Sequence, residues 1–256
     1  MTFLRDLSTL TGRLLLRNFR MPAFLVISIV QPIIWLLLFG QLFSGVTRLA
    51  GFGTDNYMEF LAPGLAIMSA LFGSAYSGMA LLMDHDRAIL DRLLVTPASR
   101  GAVIGAYVAQ SGLTVIVQAS VILVVGMLLG ADIGGGVAGF LVVLVAGSLL
   151  GAGFGALSNA LALHVMRHDA IIAIMNFIIL PLTFLSSMMM APSGMPDWIR
   201  FAAGFNPVNW AVELARAAFF GSAPGALLVP AAALVLFTLV CVLIAVRSFQ
   251  RFMAKA

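Results

Sequence analysis

Long uncharged apolar runs separated by short polar turns constrain this chain more than any other feature. Residues 60–83, 102–129 and 137–163 contain no Asp, Glu, Lys or Arg. Each exceeds the roughly 20 residues that a helix, rising about 1.5 Å per residue, needs to cross a hydrocarbon core of about 30 Å. Across the 256 residues, 62% are hydrophobic and 9% charged, and the mean hydropathy is +1.10. A soluble domain of this length would need far more polar surface to cover its core. Backbone groups in lipid must be satisfied within their own segment, which selects helices. The expected fold class is therefore an all-α integral membrane protein, a single domain over 1–256 with six transmembrane helices near 21–43, 60–83, 102–129, 137–163, 170–190 and 226–246.

The runs differ in detail. Pro22 suits a first helical turn, and Pro32, beside Gln31, predicts a kink inside the first span. Ser69, Gly73 and Ser77 repeat every four residues, and Gly147, Gly151 and Gly155 form two overlapping GxxxG steps. Both stripes allow close helix approach, and neither says whether the partner helix is in the same chain. Gln110 and Gln118 lie inside the third span, and Asn176 and Pro181 inside the fifth. Residues 191–221 are too polar and too broken by Pro192, Pro196 and Pro207 to cross. With Trp198 and Trp210 suited to headgroup level, they predict two short helices, broken between Asn206 and Pro207, that dip into the bilayer and return.

Residues 1–20 carry Arg5, Arg13, Arg17 and Arg20 without an apolar core of their own, so no cleavable leader is expected. Leu7, Leu10 and Leu14 share one helical face and the arginines another, which predicts an amphipathic helix in the interface. A plain basic flank reads the same residues differently. Orientation follows from the basic residues. Arg5, Arg13, Arg17, Arg20, Arg87, Arg92, Arg100, Arg167, Arg247, Arg251 and Lys255 fall on one side; Arg48, Arg200 and Arg216 fall on the other. Six spans then put both termini, and the turn at 84–100, in the cytoplasm of a cell bounded by this membrane. The excess of basic residues is a matter of topology and does not point to nucleic acid.

Several chemistries are excluded. A P-loop needs a Lys beside its Gly-rich turn, and the only Lys is Lys255. No G-x-S-x-G occurs, Cys241 is the only cysteine, and Asp84, His85 and Asp86 are adjacent and cannot converge on a metal. No enzyme, cofactor or metal site is expected. Gradient-driven carriers keep an acid deep in the bilayer. Every acid here is expected in a loop, at an interface or in the 191–221 segment.

What stands out is residues 84–100, DHDRAILDRLLVTPASR, with three Asp and three Arg between two uncharged spans. Asp84 or Asp86 would cap a helix, Arg87 and Asp91 are four apart, and Ile89, Leu90, Leu93 and Leu94 line one face. Thr96 and Pro97 read as the start of the next helix. On these residues alone, a short amphipathic helix with an elbow and an ordinary inside loop are both open.

The run D-R-A-I-L-D-R-L-L-V-T-P-A-S-R resembles the cytoplasmic loop of permease subunits in the type-2 (ABC-2) family of ABC transporters. P-x-W-I at 196–199, N-P at 206–207 and E-L-A-R at 213–216 are similar to that family's re-entrant segment, and the daunorubicin-resistance type of drug-export permease looks most alike. One departure is Asp86-Arg87-Ala88, where many relatives carry Glu and Gly. The resemblance implies a coupling helix on Asp86, Arg87, Leu90, Asp91, Arg92, Leu93, Leu94, Thr96 and Pro97. It would dock on a separate ABC ATPase subunit that binds ATP and Mg. It further implies a second permease, the same or related, and a pathway for a hydrophobic or amphiphilic substrate past Gln31, Trp35, Tyr76, Asn176 and Phe177. Met188, Met189 and Met190 add an adaptable apolar surface. Trp198, Asn206, Pro207, Glu213 and Arg216 are expected at an outer gate, with Glu213 and Arg216 placed to pair. The alternatives are export of a lipid-linked glycan by the same family, a gradient-driven carrier and a membrane scaffold.

Overall fold

The computed structural model describes residues 2–20, 22–43, 45, 54, 56–94 and 99–254. These residues form eleven α-helices, in order α1 Thr2–Phe19, α2 Pro22–Leu42, α3 Tyr57–Ala75, α4 Ser77–Asp86, α5 Ile89–Leu94 and α6 Arg100–Leu128. They continue with α7 Gly136–Val165, α8 His168–Phe184, α9 Asp197–Ala203, α10 Pro207–Phe219 and α11 Pro224–Met253. No strand occurs among the described residues. Four stretches are long and apolar enough to cross a membrane: Tyr57–Asp86, Gly101–Leu128, Gly136–Val165 and Pro224–Met253. Two shorter apolar helices accompany them, Ser28–Leu42 within α2 and the whole of α8. The chain is a multi-pass membrane protein.

Helix α7 is the hub, packed against α3, α4, α6, α10 and α11. The glycine stripe explains why. A Cβ on Gly151 would stand 2.7 Å from a methyl of Val115, and one on Gly155 would stand 2.6 Å from the hydroxyl of Ser111. The two GxxxG steps are therefore consumed within the chain, against α6. The stripe on the second span divides: a Cβ on Gly73 would run into Gln118 of α6, while Ser77 Oγ donates to Gly155 O of the hub at 3.1 Å, beside Gly78 N–H, which donates to Ser158 Oγ at 3.1 Å. In lipid, such close van der Waals contact and interhelical hydrogen bonding replace the hydrophobic drive available in water.

The second expected span is two helices, not one. It bends at Tyr76, between α3 and α4. Ser74 Oγ donates back to Ala70 O at 2.6 Å and reaches Leu71 O at 3.2 Å, a bonding pattern that bends helices. The fifth expected span, 170–190, ends as helix at Phe184, and residues 185–190 leave the helix beyond Pro181. Helix α11 is longer than expected, at 30 residues. At about 1.5 Å per residue it spans about 45 Å, so its Arg247 and Arg251 turns project past a core of about 30 Å.

Helix α1 packs on α6 and α2 through its leucine face, with Leu14 fully covered. Helix α6 begins at Arg100, with Ser99 Oγ accepting from Ala102 N–H at 3.3 Å. The cap is thus Ser99; Thr96 and Pro97, expected to start this helix, lie outside the described residues.

Candidate coupling loop and substrate groove

Asp84 corrects the sequence reading most. It is not a cap at the start of a helix but part of the last turn of α4, with 2% of its side chain exposed. Arg17 donates to its Oδ1 at 2.6 Å, Arg13 to its Oδ2 at 3.3 Å, and the hydroxyl of Tyr107 to Oδ2 at 2.5 Å. Helices α1, α4 and α6 are thereby tied at one carboxylate. Two conclusions change. Arg13 and Arg17 do not only point to headgroups, and the chain does contain a buried acid. The missed signal was an i, i+4 arginine pair on an amphipathic helix opposite a lone Asp ending an uncharged span.

Beyond Asp84 the backbone turns sharply. Ala88 has φ 53°, a left-handed conformation that costs an L-residue with a Cβ about 1 kcal/mol. The short helix therefore starts at Ile89 and not at Asp86. Leu90 is fully buried and anchors α5, while Arg92 on that helix and Arg87 just before it are exposed. Asp86 is drawn aside to His168 Nε2 at 3.0 Å, at the start of α8. Asp91, Leu93 and Leu94 lie on the helix, but their side chains are outside the described residues. Among the described residues, no three His, Cys, Asp or Glu side chains group to hold a metal.

Four of the five expected pathway residues come together. Gln31 and Trp35 of α2 and Asn176 of α8 line a groove of about 310 Å³ with Met68, Phe72 and Met190. Tyr76 joins the adjoining space beside Gln31 and Pro32, and its hydroxyl donates to Asn176 Oδ1 at 2.6 Å. Phe177 does not join them. It is 80% exposed, one residue round the helix from Asn176, on the outer face of α8.

The segment 191–221 folds as two short helices with a break at Asn206 and Pro207. Asn206 is buried and works in both directions. Its Oδ1 accepts from Val208 N–H at 2.9 Å, capping α10, while its Nδ2 donates at 2.7 Å to both Leu182 O and Leu185 O at the end of α8. Pro207 occupies the first helical position, where its missing N–H costs nothing. Trp198 is exposed, and Trp210 Nε1 donates to Gly204 O at 2.8 Å. Asn209, which the sequence reading passed over, accepts from Ser187 N–H at 2.9 Å and donates to Glu213 Oε1 at 2.8 Å.

Glu213 and Arg216 form no ion pair with each other; the described ion pairs lie elsewhere. Arg216 turns inward instead. Its Nη2 donates to Ser187 O at 3.0 Å and Met188 O at 3.2 Å, and its Cζ stands 3.6 Å from the centroid of the Phe60 ring. A guanidinium stacks well on an aromatic face. Tyr57 adds a hydroxyl bond to Met189 O at 3.0 Å. This explains why residues 185–190 can leave the helix: non-helical backbone at membrane depth needs protein partners, and α10 and α3 supply them.

Similarity to known proteins agrees with this layout. A family model described as ABC-2 type transporter matches residues 5–220, from α1 through the end of α10. This chain belongs to the ABC-2 family of ABC transporter permeases. It is 30% identical over 215 residues to a putative transport permease, ycf38, of Cyanophora paradoxa, covering 84% of this chain and 74% of that one. It is 24% identical over 202 residues to the daunorubicin resistance ABC transporter permease protein DrrB1 of Streptomyces coeruleorubidus, covering 79% and 70%. A probable doxorubicin resistance ABC transporter permease protein, DrrC, of Mycobacterium tuberculosis is 23% identical over 241 residues, covering 92% and 84%. In this ABC-2 permease, α4 links the two candidate regions: its last turn holds Asp84 beside α5, and Tyr76, just before its first turn, faces the groove.

Proposed function

We propose that this permease is the membrane-spanning subunit of an ATP-driven exporter of a hydrophobic or amphiphilic molecule. ATP and Mg belong to a separate ABC ATPase subunit, and a second permease, identical or related, completes the membrane body. In this reading α2 and α8 cross with the four longer stretches, six spans in all, and both termini face the cytoplasm of a bacterial inner membrane. The basic residues at the ends of α1, α5, α6 and α11 favour that orientation.

One observation carries the reading. The short helix α5, with exposed Arg92, joins across the single left-handed residue Ala88 to α4, whose C-cap is the exposed Arg87 and whose N-cap, Tyr76, faces the groove. Closure of the ATPase subunits would press on α5, move α4 and so change the groove between α2, α3 and α8. Asn206, Asn209 and Arg216 would hold residues 185–190 as the opposite, outer constriction. Reconstitution with the cognate ATPase tests this. Arg87→Glu with Arg92→Glu is expected to leave insertion intact and abolish ATP-dependent export; unchanged export would overturn the assignment of α5.

The buried Asp84 favours a second reading, a gradient-driven carrier acting without ATP. Against it, both oxygens of Asp84 are already held by Arg13, Arg17 and the Tyr107 hydroxyl, which leaves the carboxylate as a structural tie between three helices. Substrate flux by the isolated chain in liposomes under a pH gradient would establish the carrier in place of the exporter.

A further inference from the structure

The groove does not stop at Tyr76. Past Gly73 and Tyr76 it opens into a second cavity of about 300 Å³, enclosed by α1, α4 and α6. The two ends differ in chemistry. The far end carries no charged side chain: Trp35, Phe72, Ile179 and Leu180 wall it, with Gln31 and Asn176 among its neutral polar groups. The near end is lined by Arg17, Asn18, Ser77, Arg87, Gln110 and Thr114.

Charge at the near end does not cancel. Arg13 and Arg17 share the single carboxylate of Asp84, whose third partner, Tyr107, is a neutral donor. That leaves one surplus guanidinium. Arg87 adds another, with no carboxylate at ion-pair distance among the described residues, because Asp86 bonds to His168. Arg17 is partly withdrawn from water, and a cation so placed favours an anion that brings its own hydrogen-bond acceptors. Gln110 adds a further demand. It is buried, its Nε2 donates to Thr114 Oγ1 at 3.2 Å, and its Oε1 has no partner. That oxygen asks for a hydroxyl or amino donor.

We propose that this cavity receives the head of an anionic amphiphile, a phosphate or carboxylate bearing at least one hydroxyl or N–H donor, whose apolar tail lies along the groove toward Trp35. The anion sits between Arg17 and Arg87, and the donor meets Gln110 Oε1. The inference rests on the groove being the substrate path proposed above and narrows its substrate class. A cationic amphiphile would meet repulsion at the same place.

The test uses the purified full chain in detergent, with Trp198→Phe and Trp210→Phe so that fluorescence reports Trp35 alone. Three probes with brominated acyl chains are titrated: phosphatidylglycerol, phosphatidylcholine and an alkyl trimethylammonium. Phosphatidylglycerol should quench Trp35 at a mole fraction about tenfold lower than phosphatidylcholine, the scale of one charge-assisted contact, and the ammonium should be weakest. Arg87→Gln, an exposed position, and Gln110→Leu should each reduce that preference about threefold or more without moving the phosphatidylcholine curve. Excess inorganic phosphate should not displace the lipid. Equal curves for the two phospholipids would overturn the proposal, as would an unchanged preference in Arg87→Gln. Displacement by inorganic phosphate would assign the cavity to a free anion instead. No ATP or partner enters the experiment, so a failure of ATP-driven export would count against the exporter reading alone.

Discussion

Replacing Arg17 by Met removes the shorter of the two ion pairs on Asp84, 2.6 Å against 3.3 Å for Arg13, and the structure sets the size of the effect. Breaking a fully buried pair costs about 3–5 kcal/mol, because a charge is left stranded. Here the stranded carboxylate keeps Arg13 and the Tyr107 hydroxyl, so Arg17→Met should cost less, about 2 kcal/mol. Arg13 is 42% exposed against 28% for Arg17, and its longer contact is screened by solvent, so Arg13→Met should cost under about 1 kcal/mol. Asp84→Asn discards the charge but retains an acceptor for Tyr107, again for about 2 kcal/mol. Once Asp84 is neutral, Arg17 has little left to lose. The Arg17→Met, Asp84→Asn double variant should therefore sit near its single parents, a coupling of about 1.5 kcal/mol where additive sites agree within about 0.5 kcal/mol. Equilibrium unfolding in mixed micelles by circular dichroism measures the four proteins of the cycle and Arg13→Met beside them. Additivity, or an Arg13 variant weaker than the Arg17 variant, would refute the placement of α1 against α4.

Three further outcomes follow from named contacts. Ala88→Gly should raise the unfolding midpoint by the relief of a left-handed Cβ, net about 0.5–1 kcal/mol, while Ala88→Val lowers it; a drop for Gly in the same unfolding assay would contradict the positive φ at Ala88. Asn206→Asp keeps the acceptor that caps α10 but turns a carboxylate oxygen against the carbonyls of Leu182 and Leu185, so it should be no more stable than Asn206→Ala, which loses about 2–3 kcal/mol in all; folded yield after membrane extraction ranks the three. Gly155→Leu should overpack the α6 contact by about 1–3 kcal/mol or more, whereas Gly12→Ala, with open space around it, should be neutral or stabilising, and thermal melts distinguish them.

Much of the helical layout could be read from the sequence because it is set by local composition. Uncharged runs gave the long helices, Pro207 behind Asn206 gave the break between α9 and α10, and the GxxxG steps gave a close contact. What the sequence hid depends on residues far apart in the chain. Asp84 and its arginines are separated by 67 and 71 positions, and no periodicity links them. Without Arg13 and Arg17 beside it, Asp84 reads as a cap, and with them it is a buried anchor. Glu213 and Arg216 show the reverse error. Their spacing suits a pair on a solvated face, but α10 turns Arg216 toward Phe60 and the carbonyls of Ser187 and Met188, where a cation is worth more. The groove was half legible. Gln31, Trp35, Tyr76 and Asn176 are polar or amphipathic groups in apolar spans and find one another, whereas Phe177 carries no polar atom to distinguish an inner from an outer face.

These corrections bear on how the proposed coupling would work. If α5 were simply a longer helix from Asp86, force on it would pass straight into α4 as one rigid rod. The left-handed residue at Ala88 prevents that, and makes α5 a short lever hinged beside the Asp84 knot. Any displacement of α4 then acts on three elements at once. It pulls α1 through Arg13 and Arg17, shifts α6 through Tyr107, and moves Tyr76, whose hydroxyl holds Asn176 across the groove. The knot and the groove therefore lie on one lever, and the two should be separable. Tyr76→Phe removes the cross-groove bond while leaving every Asp84 contact in place. With the cognate ATPase it should retain stability and ATPase stimulation but change export, whereas Asp84→Asn should change all three. Export unaffected by Tyr76→Phe, measured in the same vesicles, would mean that the bond across the groove takes no part in the movement.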